Sequence, residues 1–207
     1  MTGGNGSDGV GADGPALGHL LLVRHGESTW NAEGRLQGQA DPSLSALGRR
    51  QAAALAPWVD AWAPSVVATS DLRRASETAS LLGFDDARID PRWRELDVGL
   101  WTGQAAAAVR EEHGEAYRAW REGREAPPEG EPLADFAARV EQAGRELLAP
   151  RRVALAVAHG GPIRTLCATL LGASVGGFAA VLNGSLTVVE LGPAGPRLAA
   201  YNLTPTP

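Results

Sequence analysis

At residues 20–28 the chain reads Leu20-Leu21-Leu22-Val23-Arg24-His25-Gly26-Glu27-Ser28, an apolar run that ends in a cation, an imidazole and a glycine. Four consecutive apolar residues bounded by polar ones are typical of a strand that is buried on both faces. Ligand sites in open α/β sheets collect at the carboxyl ends of such strands. The sequence therefore predicts that His25 lies at a strand end and faces a crevice.

A second copy of this pattern occurs late in the chain. Residues 153–161 read Val153-Ala154-Leu155-Ala156-Val157-Ala158-His159-Gly160-Gly161, again an apolar run followed by His-Gly. Because both strand ends can lie at one edge of a sheet, we expect the two imidazoles to converge on a single pocket.

The 207 residues suffice for one domain with a sizeable core. Residues 1–17 are rich in Gly, Asp and Ala and predict a disordered leader, which leaves 18–207 as the domain. Short apolar strands alternate with helical patterns, which favours an α/β sandwich with helices on both faces of the sheet. Ser45 is a candidate N-cap of a helix that Pro57 ends or kinks, and Ser70 or Asp71 is a candidate N-cap of the next helix.

Composition excludes several classes of protein. A net charge of -5 and a pI near 5.4 give no basic surface for nucleic acid or an anionic membrane. The single cysteine, Cys167, rules out an internal disulfide framework, is expected in the core, and favours a cytoplasmic location. No run approaches a spanning helix and no signal peptide is evident. All 19 basic residues are arginine, so lysine-dependent motifs such as the P-loop are absent, although a bias of the source genome also explains this.

The chemistry-bearing residues point to a phosphate site. The guanidinium groups of Arg24 and Arg74 match a tetrahedral dianion better than an alcohol or a carbonyl. Flanking cations disfavour a protonated His25, and a neutral imidazole between arginines is a nucleophile toward phosphorus. Gly26 is expected to leave room for the phosphoryl group. His159 and the arginines can neutralise the equatorial oxygens.

A leaving alkoxide needs a proton, and Glu95, in a loop rich in Gly and Trp, is the best-placed acid. The structural alternatives are that Glu95 pairs with Arg94 and that Arg74 is a solvated helix residue. We expect His19 and His113 to be surface or packing residues. The sequence offers no HExxH, no CxxC pair and no carboxylates at ligand spacing, so a metal-independent enzyme without a cofactor is predicted.

Four ordered motifs across residues 19–203 resemble the phosphoglycerate-mutase-like branch of the histidine phosphatase superfamily. They are Arg24-His25-Gly26-Glu27-Ser28-Thr29-Trp30-Asn31 with Arg35-Leu36-Gln37-Gly38, the Ser70 to Ala79 stretch containing Leu72 and Arg74, Glu95 to Gly103 containing Gly99 and Trp101, and Ala158-His159-Gly160-Gly161 with Ile163-Arg164.

This resemblance implies a three-layer α/β/α sandwich on a mostly parallel central sheet. It also implies roles for the site residues: His25 is phosphorylated in the cycle, Glu95 is the general acid and then the base, and Arg24, Arg74 and His159 complete the phosphate pocket. Asn31, Gln37, Gly38 and Gly160 fall where the family contacts phosphate or substrate.

The sequence departs from the mutases of this branch between Glu95 and His159. They carry additional basic residues there, whereas this chain has Ala105 to Ala108 and an acidic Glu111-Glu112. The predicted function is hydrolysis of a small phosphorylated metabolite through a phosphohistidine. The alternatives are a cofactor-dependent phosphoglycerate mutase and a non-catalytic phosphate-binding module.

Substrate specificity is expected from residues 104–131, with Tyr117 and Trp120 as candidate walls, and from residues 173–183. The variants Gln37-Gly38-Gln39 and Leu72-Arg73-Arg74 are similar to those of actinobacterial sugar-phosphate phosphatases, such as those acting on glucosyl-3-phosphoglycerate. Dimers are common in the family, so a homodimer is a candidate assembly.

Overall fold

The computed structural model describes residues 17–205. The predicted leader therefore lies outside the described residues, except for Leu17, whose carbonyl accepts a hydrogen bond from the Arg151 N–H at 3.1 Å. The strands are β1 (Gly18–Arg24), β2 (Val66–Thr69), β3 (Arg88–Ile89), β4 (Val153–Ala158), β5 (Leu186–Gly192) and β6 (Gly195–Leu203). The helices are α1 (Thr29–Ala32), α2 (Ala46–Asp60), α3 (Arg73–Leu81), α4 (Ala106–Glu112), α5 (Gly114–Arg121), α6 (Leu133–Leu147) and α7 (Gly160–Leu171).

The six strands form one sheet in the order β3-β2-β4-β1-β5-β6. The first four strands along the chain pair in parallel, and β5 and β6 extend the sheet as an antiparallel pair. Strands β1 and β4 are neighbours, with Arg24 opposite Ala158. His25 and His159 therefore follow adjacent parallel strands at the same edge of the sheet, as the two His-Gly patterns predict.

Strand β1 is buried on both faces, and its side chains alternate between two cores. Leu20 and Leu22 pack with α6 and α7, and Cys167 is buried in that layer as expected. Leu21 and Val23 pack on the other face with α2 and α3. Helices thus cover both faces of a mostly parallel sheet, which confirms the predicted three-layer α/β/α sandwich.

A third, smaller cluster lies beside the carboxyl edge of β1. Val98, Trp101 and Val109 form its buried centre, and Tyr117 and Trp120 pack against it. Helices α4 and α5 contribute most of these side chains, so this cluster supplies one wall of the cavity described below.

Two predicted helix boundaries differ from the structure. Ser45 does cap α2, because its hydroxyl accepts from the Gly48 N–H at 3.0 Å, but the helix continues through Pro57 to Asp60. Pro57 lies in the last turn, so the one hydrogen bond that it removes is at the end of the helix and three more residues continue α2 beyond it. Neither Ser70 nor Asp71 caps α3; its N-cap is Leu72, with no side-chain bond, because both polar side chains are used elsewhere.

The helices that the structure describes are all too short or too polar to cross a bilayer.

Candidate active site

The two imidazoles meet at the carboxyl ends of β1 and β4. Their ring centroids are 5.0 Å apart and the rings are inclined at 63°. The His25 N–H donates to the Ala158 carbonyl at 3.0 Å, which continues the strand pairing beyond β1 and fixes the backbone at this point. Both rings are almost fully buried.

Arg74, on the first turn of α3, lies between the two rings. Its Nε is 3.2 Å from His25 Nε2 and 3.2 Å from His159 Nδ1. Its Nη1 and Nη2 donate to the carbonyls of Ala40 at 2.7 Å and Gly38 at 2.9 Å. Burial lowers the pKa of Arg74 to about 10, so the guanidinium remains charged at neutral pH. Arg74 is therefore a buried cation at the centre of the site, not a solvated helix residue.

The hydrogen bonds assign a tautomer to each imidazole. Because Arg74 donates to His25 Nε2, the proton of the neutral ring is on Nδ1, which donates to the Gly26 carbonyl at 2.6 Å. In His159 the acceptor is Nδ1, so Nε2 donates to Ser70 Oγ at 3.0 Å. His25 thus presents a lone pair on Nε2 toward Arg74.

Both imidazoles are held neutral. Burial, followed by the charges of Arg74 and Arg24, lowers the pKa of His25 well below 6.5. Burial, followed by Arg74 and then His25, does the same for the pKa of His159. From the sequence we expected the flanking cations to keep His25 neutral. In the structure, loss of hydration on burial lowers its pKa more than those cations do.

This neutrality predicts acid sensitivity between about pH 6.5 and 5. Each buried histidine has a folded pKa below its unfolded value of 6.5, so the unfolded chain binds more protons as the pH falls through 6.5. The free energy of unfolding should therefore be level above pH 6.5 and decrease below it. Asp71, Asp90 and Glu146 have lowered pKa values and titrate below this window. Urea unfolding at about pH 7.5, 6 and 5 measures the effect; an unfolding free energy that stays level to pH 5 would contradict it.

Arg24 is the second arginine of the site. Its Nη1 donates to the Val181 carbonyl at 2.5 Å, while its Nε is buried with no hydrogen-bond partner among the described residues. A methyl group built on Gly160 would lie 3.6 Å from this Nε, so Gly160 borders the unpaired N–H. An oxygen of a bound anion could satisfy this donor.

Glu95 is oriented by backbone donors. One carboxylate oxygen accepts from the Leu96 N–H at 2.8 Å and the other from the Gly161 N–H at 3.1 Å, at the start of α7. The alternative pairing with Arg94 does not occur, because that arginine binds the carboxylate of Asp71. Glu95 is therefore a carboxylate without a cationic partner on its own loop, and it lines the cavity.

Arg139, on α6, fixes the loop that carries Glu95. Its Nη1 donates to the carbonyls of Arg92 at 2.7 Å and Arg94 at 2.8 Å, and its Nη2 donates to the Glu95 carbonyl at 3.1 Å. The same guanidinium pairs with Glu131, 2.7 Å away. Sequence analysis did not identify this residue.

The predicted phosphate or substrate contacts also line the cavity. Asn31 Oδ1 accepts from Asn183 Nδ2 at 3.0 Å, and Gln37 Oε1 lies 2.8 Å from Ser28 Oγ, so both amides are fixed. Gly38 has a φ of +50°, a conformation that favours glycine, and this aims its carbonyl at Arg74.

Gly26 is required for a different reason from the one that the sequence suggests. A methyl group there would lie 2.1 Å from the Gly48 carbonyl oxygen in α2, and Gly26 is not among the cavity-lining residues. Close backbone packing against α2, rather than access of a phosphoryl group, excludes a side chain at this position.

The site opens into a cavity of about 500 Å³. Tyr117 and Trp120 form part of its wall, as predicted. The predicted segment 173–183 contributes Ala173, Val175 and Val181 to the lining. Within residues 17–205 no three His, Cys, Asp or Glu side chains are grouped as metal ligands. The arrangement is a small basic pocket with a neutral imidazole and a carboxylate at its base, which suits a phosphate ester.

Sequence comparison identifies the family. Residues 20–204 match the profile of the histidine phosphatase superfamily, branch 1. The chain is 40% identical over 166 residues to a glucosyl-3-phosphoglycerate phosphatase of Mycobacterium tuberculosis, which covers 73% of this chain and 74% of the relative. It is 36% identical over 166 residues to a protein of Cronobacter sakazakii named "Probable phosphoglycerate mutase GpmB", which covers 74% of each.

Structural comparison agrees with this result. The solved structure of a mycobacterial glucosyl-3-phosphoglycerate phosphatase with VO3 superposes with a TM-score of 0.83 at 37% identity, and covers 90% of this chain and 100% of that one. The chain therefore belongs to branch 1 of the histidine phosphatase superfamily, and it is a phosphoric monoester hydrolase.

Proposed function

We propose that the protein is a metal-independent phosphomonoesterase that hydrolyses a small phosphorylated metabolite through a phosphohistidine on His25. The observation that carries this proposal is the geometry around His25, whose Nδ1 is bonded to the Gly26 carbonyl, so that Nε2 is the ring atom that faces Arg74. This Nε2 lone pair lies 3.2 Å from Arg74 Nε, beside a second buried imidazole. A neutral imidazole next to a fixed cation, in a cavity lined by further arginines, is suited to attack phosphorus.

In the first step, His25 Nε2 forms a bond to phosphorus while the bond from phosphorus to the ester oxygen breaks. Arg74, Arg24 and His159 compensate the charge on the equatorial oxygens. Glu95 transfers a proton to the leaving oxygen. In the second step, Glu95 accepts a proton from water, which attacks the phosphohistidine and releases inorganic phosphate and neutral His25.

The relatives supply a first candidate substrate. Since one relative and one solved structure are named glucosyl-3-phosphoglycerate phosphatases, we include phosphorylated sugars and sugar acids in the proposed substrate class. Support comes from the cavity, whose volume of about 500 Å³ and aromatic wall of Tyr117 and Trp120 suit a sugar-sized group.

The mutase alternative is favoured by the names of several relatives, of which the Cronobacter sakazakii protein is one. Mutases of this branch resemble one another in additional basic residues between the Glu95 motif and the second His, whereas α4 of this chain has a single arginine, Arg110, followed by exposed Glu111 and Glu112. A mutase would be stimulated by 2,3-bisphosphoglycerate and would interconvert phosphoglycerates faster than it releases phosphate. We expect release of phosphate to dominate.

The remaining features of the proposal rest on composition and, for the assembly, on the resemblance to the family. We propose residues 1–17 as a leader and 18–207 as the catalytic domain, acting in the cytoplasm on a small phosphorylated substrate, with a homodimer as the candidate assembly. The net charge of -5 supports the absence of nucleic-acid and membrane partners.

Hydrolysis of p-nitrophenyl phosphate in excess EDTA tests the proposed function. The expected result is turnover that EDTA and added Mg²⁺ change by less than about twofold, because the nucleophile and the cations are side chains of this chain. Loss of activity in EDTA and recovery with a divalent cation would contradict metal independence. Binding of inorganic phosphate without any turnover would favour the non-catalytic module.

A further inference from the structure

Asn183, in the loop before β5, contacts the segment that carries the proposed nucleophile. Its Nδ2 lies 3.0 Å from Asn31 Oδ1, 3.3 Å from the His25 carbonyl oxygen and 3.4 Å from the Gly26 carbonyl oxygen. Asn31 and His25 belong to the lining of the cavity, whereas Asn183 does not. Asn183 therefore acts on a bound substrate through the residues that it contacts.

The two backbone carbonyls decide which end of the Asn183 amide faces them. A carbonyl oxygen only accepts hydrogen bonds, so the NH2 group, and not the side-chain oxygen, points toward His25 and Gly26. The same NH2 group also faces the side chain of Asn31. Because an NH2 group only donates, the Asn31 atom that it faces is the oxygen, Oδ1.

A second donor agrees with this orientation of the Asn31 amide. The Ser28 N–H donates to Asn31 Oδ1 at 3.1 Å, as part of the capping box of α1. Ser28 and Asn183 thus occupy both lone pairs of Oδ1, and Asn31 Nδ2 makes no hydrogen bond to another group within residues 17–205. Since Asn31 lines the cavity, its amide N–H groups are available to a ligand there.

The turn that carries Asn183 is fixed next to His25. The Gly184 N–H donates to the His25 carbonyl at 3.1 Å, the same oxygen that the Asn183 amide approaches. Gly184 has a φ of +61°, and a Cβ at this position would lie 2.7 Å from Gln51 Cβ in α2, so the turn requires glycine. A backbone hydrogen bond and close packing therefore hold Asn183 in the position from which it bonds Asn31.

We propose that Asn183 is a positioning residue, which turns the amide of Asn31 so that its N–H groups donate to an oxygen of the phosphoryl group that is transferred. This inference rests on the proposed phosphatase function. Without Asn183, the Asn31 oxygen keeps one backbone donor, and the amide can rotate so that its oxygen faces the phosphate. The cavity then loses a charge-assisted hydrogen bond and gains a repulsion between two acceptors.

A double-mutant cycle tests whether Asn183 acts through Asn31. We expect Asn183→Ala to lower kcat/KM for p-nitrophenyl phosphate by about tenfold, the effect of one charge-assisted hydrogen bond, and Asn31→Ala to lower it at least as much. Once residue 31 carries no amide there is nothing to orient, so adding Asn183→Ala should then cost less than about twofold. Losses that multiply in the double variant, or an unchanged rate in Asn183→Ala, would overturn the inference.

Asn202→Gly is the matched control. The Asn202 side chain accepts from the Leu182 N–H at 2.6 Å and donates to the Ala180 carbonyl at 3.0 Å, so it holds the same loop without a hydrogen bond to Asn31. Its φ is +61°, so glycine is the replacement that keeps the backbone conformation. The factor by which Asn202→Gly changes kcat/KM should be the same with and without Asn31→Ala. Coupling to Asn31 as strong as that of Asn183 would overturn the inference, because loosening of the loop would then explain both results.

The dissociation constant of inorganic phosphate, measured for the same proteins, gives a second cycle that does not depend on turnover. We expect it to rise about tenfold in Asn183→Ala and to change less than about twofold when Asn183→Ala is added to Asn31→Ala. If the wild type binds phosphate and does not hydrolyse p-nitrophenyl phosphate, the proposed function fails and this cycle still decides the role of Asn183. Asn183→Ser takes the place of Asn183→Ala in both cycles if the alanine variant does not fold.

Discussion

Replacing His25 by Ala is expected to reduce kcat for p-nitrophenyl phosphate by about 10⁴-fold or more, because the variant lacks the atom that forms the bond to phosphorus. The remaining site keeps Arg74 and Arg24, so it should still bind inorganic phosphate. The loss therefore appears in kcat rather than in binding, and steady-state kinetics with phosphate as a competitive inhibitor separate the two.

His19→Gln is the control for this variant. His19 belongs to β1, six residues before His25, and its ring packs on Trp62 at a centroid distance of 5.0 Å, away from the cavity. It should retain most of the wild-type kcat. Retention of more than about 1% of activity in His25→Ala would contradict nucleophilic catalysis at this residue, since loss of a nucleophile ordinarily costs far more.

Replacing Glu95 by Gln is expected to reduce kcat/KM for alkyl phosphates by about 10²- to 10⁴-fold, the range typical of general acid catalysis. The loss should be much smaller for p-nitrophenyl phosphate, because p-nitrophenolate leaves without a proton. A plot of log kcat/KM against the pKa of the leaving alcohol should therefore be steep in the variant and shallow in the wild type. Equal losses for both kinds of substrate would contradict the acid role of Glu95.

Two glycine variants in the first turn of α7 test the acid role of Glu95 in a second way. A methyl group on Gly161 would lie 2.0 Å from Glu95 Oε1 and would displace the carboxylate, so Gly161→Ala should reproduce the leaving-group dependence of Glu95→Gln. A methyl group on Gly160 would lie 3.6 Å from Arg24 Nε, an ordinary contact, so Gly160→Ala should not. Rate losses of the same size and slope in both would show that crowding, not Glu95, is responsible.

The centre of this site could be predicted because its position follows from local sequence pattern. Each His-Gly turn follows an apolar run, and the parallel pairing of β1 with β4 places His25 and His159 at the same edge. The proposed nucleophile, the two arginines of the phosphate pocket and the proposed acid also belong to motifs that resemble those of a known family. The structure brings all five predicted catalytic residues to one cavity or its buried base.

The errors arose where tertiary contacts override local rules. Ser70 follows the pattern of an N-cap, but its hydroxyl accepts from His159 Nε2, and Asp71 instead binds Arg94. Gly26 resembles a glycine that admits a ligand, but the backbone of Gly48 requires it. In each case the deciding partner is distant in sequence, so spacing within one segment could not indicate it.

The residues that sequence analysis missed act across elements. Arg139 reaches from α6 to three carbonyls of the Glu95 loop, and Asn183, which the sequence placed only within a specificity segment, reaches from the segment before β5 to Asn31. Arg164 was visible as part of a motif, but the bonds from its Nη2 to the carbonyls of Val175 and Arg121 form only in the folded chain. Such residues can be identified only from the folded structure.

The most direct measurement on this enzyme is to trap the phosphorylated intermediate. The wild type is mixed with a ³²P-labelled ester, quenched in alkali within milliseconds, and digested for peptide mapping. We predict label that is stable in alkali and labile in acid, as a phosphoramidate is, on the peptide that contains residue 25. Label on any other residue, or inversion of configuration at a phosphorus made chiral with oxygen isotopes, which a single direct attack by water produces, would contradict a covalent path through His25.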